Sequence, residues 1–525
     1  MTAAVRARRV GAVALLALAL AAAPALGGCA ALTGLFSQTP HVKPEPILPA
    51  APEATLDGFQ SQQPVWQACG DRLECADVYA PLDWGDLSGE RITLHMVKHV
   101  AKSKQPQGSL FVNPGGPGAS GADYVWNGAE YAAQPAVLDD YDLIGWDPRG
   151  VGSSSAVSCL DAAGLDDYLF GLGDAADAAL EAGSDAWIDA AYAESEEFGQ
   201  ACAENTGALL GHVDTAATVQ DLDLLRAIVG DPQLNYLGYS YGTYIGARYA
   251  DAYPDKVGRM VLDGAMDPTT TEYEVVKEQT RGFEQALEAY LADCLKRSDC
   301  PFTGPVSRGM QQIGAQLDKV DETPLQGTDG RWLSSGTMLT AIITPLYAQS
   351  NWGYLDDLFT SVNEGDADVG LMLADFYYSR ENGRYLDNST EAFMAINCLD
   401  YPSGMDRDLM REQAAELAEL APTIGRFQGY GDIGCAAWPV SGVESRDGVT
   451  AAGAGPILVV GTTGDPATPY RWAQSLAGQL ESGVLVTYNG EGHTAYGDND
   501  CIDRVVDAYF VQSEVPSRDP QCAAG

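Results

Sequence analysis

The amino-acid sequence predicts an α/β protein with a mostly parallel central sheet and an inserted, mostly helical cap domain. Short β-rich runs alternate with helical patterns in two separate parts of the chain, as in parallel sheets covered by helices on both faces. Between about residues 266 and 445, long amphipathic patterns such as 280–295 and 407–420 replace the β-rich runs. A chain of 525 residues, 46% of them hydrophobic, is long enough for one large domain and an insertion.

The predicted strands lie on both sides of this insertion. They are residues 91–97, 109–112, 141–145, 234–238 and 258–262 before it, and residues 456–460 and 484–488 after it. Asp214 and Thr215 can cap a helix whose apolar side is formed by positions 219, 222, 225 and 228. The segment that ends at the predicted strand 234–238 is therefore predicted to be a strand-helix-strand crossover.

The N-terminal segment has the layout of a secretory signal. Arg6, Arg8 and Arg9 precede an apolar run over residues 10–26, and no acidic residue occurs in the first 28. The run ends in Leu-Gly-Gly before Cys29, which resembles the lipobox of bacterial lipoproteins and implies lipidation of Cys29. The alternative is an ordinary cleaved signal followed by an incidental cysteine. A Pro/Ala-rich stretch up to about residue 55 is predicted to be a linker that holds the protein off a membrane.

These patterns divide the chain into five predicted segments. They are a lipoprotein-type signal peptide (1–28), the lipidated cysteine with its linker (29–55), the first part of the sheet domain (56–265), the cap (266–445) and the C-terminal part of the sheet domain (446–525).

The cysteines indicate an oxidising compartment. Of the 11 cysteines, ten remain when Cys29 is set aside, an even number that suits disulfides. Connectivity is not fixed by sequence, but near neighbours suggest the pairs Cys69 with Cys75, Cys159 with Cys202, Cys294 with Cys300, Cys398 with Cys435, and Cys501 with Cys522. Neither a C-x-x-C nor an H-E-x-x-H pattern occurs, so no metal or cofactor is predicted.

The charge of the chain limits its partners. A formal net charge of −43 repels nucleic acids and anionic lipid surfaces. We therefore predict no nucleic-acid partner, and contact with a membrane only through the N-terminal lipid. Most of the acidity is interpreted as a means of solubility in an extracellular or salty setting.

Residues 238–242, Gly-Tyr-Ser-Tyr-Gly, are predicted to carry a nucleophile. The motif follows a β-rich run directly and leads into a helical pattern, so Ser240 would sit on the strand-to-helix turn called a nucleophile elbow. The motif alone is weak, because a chain with 58 glycines can contain it by chance. A serine hydroxyl also needs a base and an acid that orients this base, in the chain order Ser, acid, His.

One histidine and one aspartate fit these roles best. The chain has five histidines, and His493 is the only one after Ser240. Asp465 follows a buried-looking run and is the predicted orienting acid. Asp263, which also follows a strand, is the main competitor, whereas Asp498 and Asp500 lie beyond the histidine and fit the order poorly.

A Gly-rich turn at residues 113–118, Asn-Pro-Gly-Gly-Pro-Gly, is the predicted oxyanion hole. It follows a strand and precedes the elbow, and its backbone can approach a substrate carbonyl without side-chain obstruction. The amide of Gly116, or of its neighbour Gly115, would act together with the amide of Tyr241.

Together these motifs resemble the proline iminopeptidase and tripeptidyl aminopeptidase family of α/β-hydrolases. Residues 113–118 are similar to the family's His-Gly-Gly-Pro-Gly, residues 147–153 to its Asp-x-Arg-Gly-x-Gly-x-Ser, and residues 238–242 to its elbow. The resemblance runs from about residue 65 to the C-terminus. Asn113-Pro114, the paired cysteines and residues 395–400 point to the secreted, tripeptidyl aminopeptidase-like actinobacterial group.

The resemblance implies an α/β-hydrolase fold and an enzyme that releases short peptides, such as tripeptides, from free N-termini. Such an enzyme recognises a substrate ammonium with carboxylates, for which Asp400 is the candidate; its alternative is a structural role beside Cys398. Arg149 is expected to brace the oxyanion loop. Members of the group are also similar to esterases and endopeptidases of mycobacterial envelopes.

The leading hypothesis is therefore a serine peptidase that acts through Ser240, His493 and Asp465 by an acyl-enzyme. The alternatives are a carboxylesterase or an envelope endopeptidase with the same residues, and a non-catalytic lipoprotein that binds ligands.

Overall fold

A computed structural model of the chain describes residues 45–172, 180–402, 404–442 and 446–524. The predicted signal peptide, Cys29 and most of the predicted linker lie outside these residues. Within them, no helix combines the length and the apolar character needed to cross a bilayer.

A ten-stranded sheet forms the centre of the fold, and the predicted α/β class is confirmed. Its strands in chain order are β1 (Gln67–Gly70), β2 (Leu73–Pro81), β3 (Arg91–His99), β4 (Ser109–Asn113), β5 (Asp142–Trp146), β6 (Leu234–Tyr239), β7 (Val257–Asp263), β12 (Ile457–Gly464), β13 (Gly483–Glu491) and β14 (Gln521–Ala523). The spatial order is β1-β2-β3-β5-β4-β6-β7-β12-β13-β14, antiparallel from β1 to β5 and parallel from β5 to β14.

Every predicted strand corresponds to a strand of this sheet, whereas β1, β2 and β14 were not predicted. β2 was missed because its sequence, Leu-Glu-Cys-Ala-Asp-Val-Tyr-Ala-Pro, mixes polar and small residues and ends in proline. β1 and β14 are only 4 and 3 residues long, so they carry too little periodicity to be recognised.

Helices cover both faces of the sheet. On one face lie α2 (Gly121–Ala132), α3 (Pro135–Asp140) and α17 (Asp500–Gln512), and on the other α6 (Thr215–Val229), α7 (Tyr241–Ala252) and α16 (Tyr470–Gln479). The predicted cap of α6 is confirmed, because the Asp214 carboxylate accepts the backbone N–H of Ala217 at 2.9 Å. A short helix, α1 (Leu56–Gln60), precedes the sheet.

The chain between β7 and β12 is mostly helical. It contains α8 (Glu272–Cys294), α9 (Val306–Glu322), α10 (Ser335–Leu346), α11 (Gly353–Glu364), α12 (Asp368–Tyr377), α13 (Ser389–Asp400), α14 (Arg407–Leu420) and α15 (Asp432–Ala436), with two hairpins of two-residue strands, β8–β9 (Leu325–Gln326, Trp332–Leu333) and β10–β11 (Arg380–Glu381, Arg384–Tyr385). Four short 3₁₀ helices complete the described elements: Gly207–Gly211, Pro254–Lys256, Gln349–Asn351 and Gly425–Phe427.

Two helices from an earlier part of the chain, α4 (Ala162–Phe170) and α5 (Asp185–Thr206), pack against this helical region. The ring of Trp187 contacts that of Tyr430 with centroids 5.0 Å apart. Arg380 forms an ion pair with Asp166 at 2.7 Å. The helical cover is therefore built from two chain segments: the helices α4 and α5, and the helical region between β7 and β12.

Five disulfides join the cysteines in the neighbouring pairs that the sequence suggested. The bridges are Cys69–Cys75, Cys159–Cys202, Cys294–Cys300, Cys398–Cys435 and Cys501–Cys522. The Cys398–Cys435 bridge ties α13 to α15.

Candidate active site

Ser240 lies on a tight turn between the end of β6 and the start of α7. Its backbone has φ 54° and ψ −124°, a strained conformation that costs a non-glycine residue about 1–3 kcal/mol. A Cβ at Gly238 would lie 2.5 Å from the carbonyl oxygen of Gly242, and one at Gly242 would lie 2.6 Å from that of Asn113. Packing of this turn therefore requires both glycines of the motif.

His493 and Asp465 form a hydrogen-bonded pair. The Nδ1 atom of His493 lies 2.9 Å from both carboxylate oxygens of Asp465. This contact assigns the proton to Nδ1 and leaves Nε2 as an acceptor. Within the described residues, the buried Nε2 of His493 and the buried Oγ of Ser240 have no hydrogen-bond partner.

The carboxylate of Asp465 is fixed by its own loop. It accepts the backbone N–H of Ala467 at 2.9 Å and that of Thr468 at 2.8 Å, and the Thr468 hydroxyl donates to it at 2.9 Å. Tyr347 of the cap holds His493 in two ways: its carbonyl oxygen accepts the backbone N–H of His493 at 2.8 Å, and its ring lies edge-on to the imidazole. The pair is thus pre-organised, as a base and its orienting acid need to be.

Asp263 connects the turn of Ser240 to the loop of His493. Its carbonyl oxygen accepts the Ser240 N–H at 2.9 Å. Its carboxylate accepts the N–H groups of Ala495 and Tyr496 at 3.0 and 2.8 Å. The sequence left Asp263 as a competitor for the orienting acid, and the structure places Asp465 against the imidazole instead.

Burial of Asp263 has a consequence for stability. Desolvation raises the pKa of its carboxyl from 3.8 to about 7, although the two N–H donors oppose this. Between about pH 4 and pH 7 the unfolded chain loses this proton before the folded chain does, so the free energy of unfolding falls as pH rises.

We expect the Asp263→Asn variant to lose this particular pH dependence. Its free energy of unfolding, minus that of the wild type, should increase from pH 4 to pH 7 and then level off, because an amide keeps the acceptor oxygen without ionising. Denaturant titrations at a series of pH values measure the difference. A difference that stays constant over this range would show that burial does not raise the pKa of the Asp263 carboxyl.

The Gly-rich turn lies directly against the elbow. The Asn113 side chain accepts the Gly115 N–H at 2.9 Å, which engages the amide that the sequence held as an alternative oxyanion donor. The Gly116 amide donates to no acceptor within the described part of the chain. This favours Gly116 over Gly115 as the donor to the oxyanion. The backbone of Tyr241, the second candidate donor, begins α7 beside this turn.

The Gly115→Ala variant tests how closely the Gly-rich turn must approach Ser240. Its φ is 103°, and a Cβ would lie 2.7 Å from the Tyr239 carbonyl oxygen and 2.9 Å from the Ser240 Cβ. We expect Gly115→Ala to lower kcat by about 100-fold or more, the loss typical of a displaced oxyanion donor. Gly330 is the matched control, because its φ is 92° and nothing lies within 4 Å of its added Cβ. Steady-state kinetics of both folded variants check this, and equal losses would mean that only backbone strain matters.

Asp147 and Arg149 of the Asp-Pro-Arg-Gly motif have separate partners. The Asp147 carboxylate accepts the Ser120 hydroxyl at 2.5 Å and the Ala122 N–H at 3.1 Å, which holds the start of α2 just after the Gly-rich turn. Arg149 was expected to brace that turn, but its guanidinium bonds Asp221 of α6 at 2.7 Å on the other face of the sheet. Asp147, and not Arg149, therefore supports the segment that directly follows the turn.

Asp400 is buried at the end of α13. Its carboxylate accepts the backbone N–H of Thr215 at 2.8 Å and the Thr215 hydroxyl at 2.5 Å, and the side chain is 1% exposed. These contacts stabilise the N-terminus of α6. The geometry favours the structural alternative that the sequence left open for this residue over contact with a substrate ammonium.

Sequence reasoning missed Thr468, Tyr347 and Asp147 as supports of the site. A hydroxyl three residues after Asp465 is a local pattern that could have indicated Thr468. Asp147 stands in a motif that was recognised, but only its arginine was considered. Tyr347 is 146 positions from His493 in the chain and follows a cap helix, so no local signal marks it.

Comparison with known proteins agrees with this geometry. Residues 421–522 match the family model described as TAP-like protein. The chain is 35% identical to the serine protease Hip1 of Mycobacterium tuberculosis over 461 residues. These residues cover 85% of this chain and 87% of the relative. It is 34% identical over 479 residues to carboxylesterase B of the same species, covering 88% and 90%.

A third relative is the tripeptidyl aminopeptidase of Streptomyces lividans, 30% identical over 469 residues that cover 86% of this chain and 84% of the relative. The chain therefore belongs to the α/β-hydrolase family of serine hydrolases that includes Hip1 and the tripeptidyl aminopeptidases.

Proposed function

We propose that this serine hydrolase is an exported peptidase that releases short peptides, such as tripeptides, from the free N-termini of its substrates. The observation that carries the proposal is the imidazole of His493, held by both oxygens of Asp465 while its Nε2 is unpartnered. The names of the relatives, a serine protease and a tripeptidyl aminopeptidase, support a peptide substrate.

In the proposed reaction, Ser240 Oγ attacks the substrate carbonyl and its proton passes to Nε2 of His493. Asp465 stabilises the imidazolium that forms. The amides of Gly116 and Tyr241 bind the oxyanion. His493 then protonates the leaving amine, and a water molecule, activated by the same imidazole, releases the acyl group from Ser240.

A carboxylesterase is the second candidate, supported by the relative named carboxylesterase B. The esterase and the peptidase would use the same catalytic residues and oxyanion amides, and they differ in the leaving group, an alcohol or an amine. We would compare a chromogenic tripeptide amide, its N-acetylated form and a short-chain ester. The peptidase proposal expects rapid turnover of the free-amine amide and a large loss on acetylation. Turnover of the ester alone would favour the esterase.

The alternative of a non-catalytic ligand-binding lipoprotein is tested at Ser240. A fluorophosphonate labels an activated serine, so we expect labelling of the wild type and none of Ser240→Ala. An unlabelled wild type would favour the binding protein.

We also propose that Cys29 carries a lipid that anchors the enzyme to the outer side of the cell membrane. The support is the signal-like segment and its Leu-Gly-Gly-Cys ending. Cys29→Ala is expected to release the protein into the medium. Continued retention in the membrane fraction would argue against lipidation.

A further inference from the structure

An open cleft lies beside His493, on the face of the sheet that carries α2 and α17. Its walls come from α2, from the segment that follows α10 and from the loop after β13. The side chains that matter below are Tyr124, Glu130, Tyr131, Tyr239, His493 and Asp498. We call it the Tyr124–Asp498 cleft.

The cleft is lined by the candidate base. His493 is 8% exposed and its Nε2 is unpartnered, so a buried polar group that lacks a protein partner lines the cleft. Pro114, at the start of the Gly-rich turn, lines it as well. A molecule in the cleft would therefore lie next to the imidazole.

The position of the cleft indicates which side of the substrate it receives. His493 delivers its proton to the leaving amine, so the leaving group must depart along the imidazole. Since His493 lines the cleft, the leaving group is the part of the substrate that the cleft would receive.

The chemistry of the walls suits a cation. Glu130 and Asp498 are exposed residues that line the cleft, and neither forms an ion pair within the described residues. Aromatic rings line the same space, and Tyr131 is 48% exposed. Carboxylates and tyrosine faces together attract ammonium and guanidinium groups.

The walls are also held in place. The Tyr124 hydroxyl donates to the Tyr131 carbonyl oxygen at 3.2 Å, and the Tyr239 hydroxyl donates to that of Ala132 at 3.0 Å. The rings of Tyr124 and Tyr239 meet edge-on, with centroids 6.3 Å apart. A pre-formed wall loses little entropy when a ligand binds.

We propose that the Tyr124–Asp498 cleft is the leaving-group subsite and that it selects substrates with lysine or arginine directly after the scissile bond. This inference rests on the proposed peptidase function and adds a specificity that the catalytic residues do not determine.

The test uses peptides that share one N-terminal sequence and differ only in the residue after the bond that the enzyme cleaves. This residue is lysine, norleucine or glutamate, and products are identified by mass. We expect kcat/KM for lysine to exceed that for norleucine by about fivefold, as two solvent-exposed charge pairs allow, with glutamate lowest. The Glu130→Gln/Asp498→Asn variant should treat all three alike, and Glu130→Lys should reverse the order.

Two controls separate this inference from the peptidase proposal. Glu364→Gln, on the exposed end of α11, should keep the wild-type order. A chromogenic tripeptide amide has an uncharged leaving group, so the double variant should cleave it as fast as the wild type. Failure of the wild type on every peptide would contradict the peptidase function, whereas cleavage with no preference would overturn only the subsite.

One other outcome would also overturn the subsite. If the cleft bound the free amino terminus instead, the double variant would lose activity on the free-amine tripeptide amide but not on its acetylated form.

Discussion

Replacing Ser240 by alanine is expected to lower kcat by about a million-fold, the loss seen when a serine hydrolase loses its nucleophile. The fold should survive. The Ser240 Oγ is buried and has no hydrogen-bond partner within the described residues, so its removal leaves no donor or acceptor unsatisfied. Burst kinetics and fluorophosphonate labelling measure the chemistry, and thermal unfolding measures the fold.

Histidine variants provide the matched comparison for this result. His493→Ala should be nearly as inactive as Ser240→Ala, because nucleophile and base act as one unit and their losses do not add. His212→Ala should keep its activity, because His212 contacts Arg149 through its backbone carbonyl oxygen, which alanine retains. Substantial turnover by Ser240→Ala would assign the nucleophile to another residue.

The largest expected effect on stability comes from Arg149. Its guanidinium is fully buried and forms a bidentate pair with Asp221, with both contacts at 2.7 Å. It also donates to the carbonyl oxygens of Pro81, Leu82 and His212 at 2.8 to 3.0 Å. Arg149→Met would leave Asp221 buried without its cation, and we expect the free energy of unfolding to fall by about 3–5 kcal/mol.

The surroundings of Asp221 explain this magnitude. Desolvation raises the pKa of its carboxyl, and Arg149 counteracts that rise. The double variant Arg149→Met/Asp221→Leu removes both charges and should recover part of the loss. Arg407→Met is the matched control, because its pair with Asp189 is largely exposed and is expected to contribute less than about 1 kcal/mol. Similar losses in Arg149→Met and Arg407→Met would contradict a dominant buried pair.

Local patterns were sufficient for much of the fold. The strands β4, β6 and β12 have parallel partners on both sides and carry short runs of buried apolar residues, because a parallel strand is buried on both faces and its composition reflects that burial. The Asp214 cap of α6 is equally local, since a cap is formed by a side chain and an amide three residues away. In contrast, short edge strands such as β1 and β14 depend on their neighbours, and their own residues carry no comparable pattern.

The catalytic candidates were indicated by chain order and by elimination. Ser240 stands in a motif, His493 is the only histidine after it, and Asp465 follows a strand at the right place. Each is tied to its own local turn. The hydrogen bond between His493 and Asp465 could not be read in this way, because it joins two separate loops that follow β13 and β12.

The sequence by itself determined the α/β class, the strands at the centre of the sheet and the residue types that a serine hydrolase needs. Only the tertiary structure decided that Asp465 and not Asp263 lies against the imidazole, that Asp400 binds the first residue of α6, and that Asp147 holds the start of α2 while Arg149 pairs with Asp221. The physical reason is that a carboxylate acquires its role from the donors around it. These donors are backbone amides and side chains that the packing of distant segments brings together.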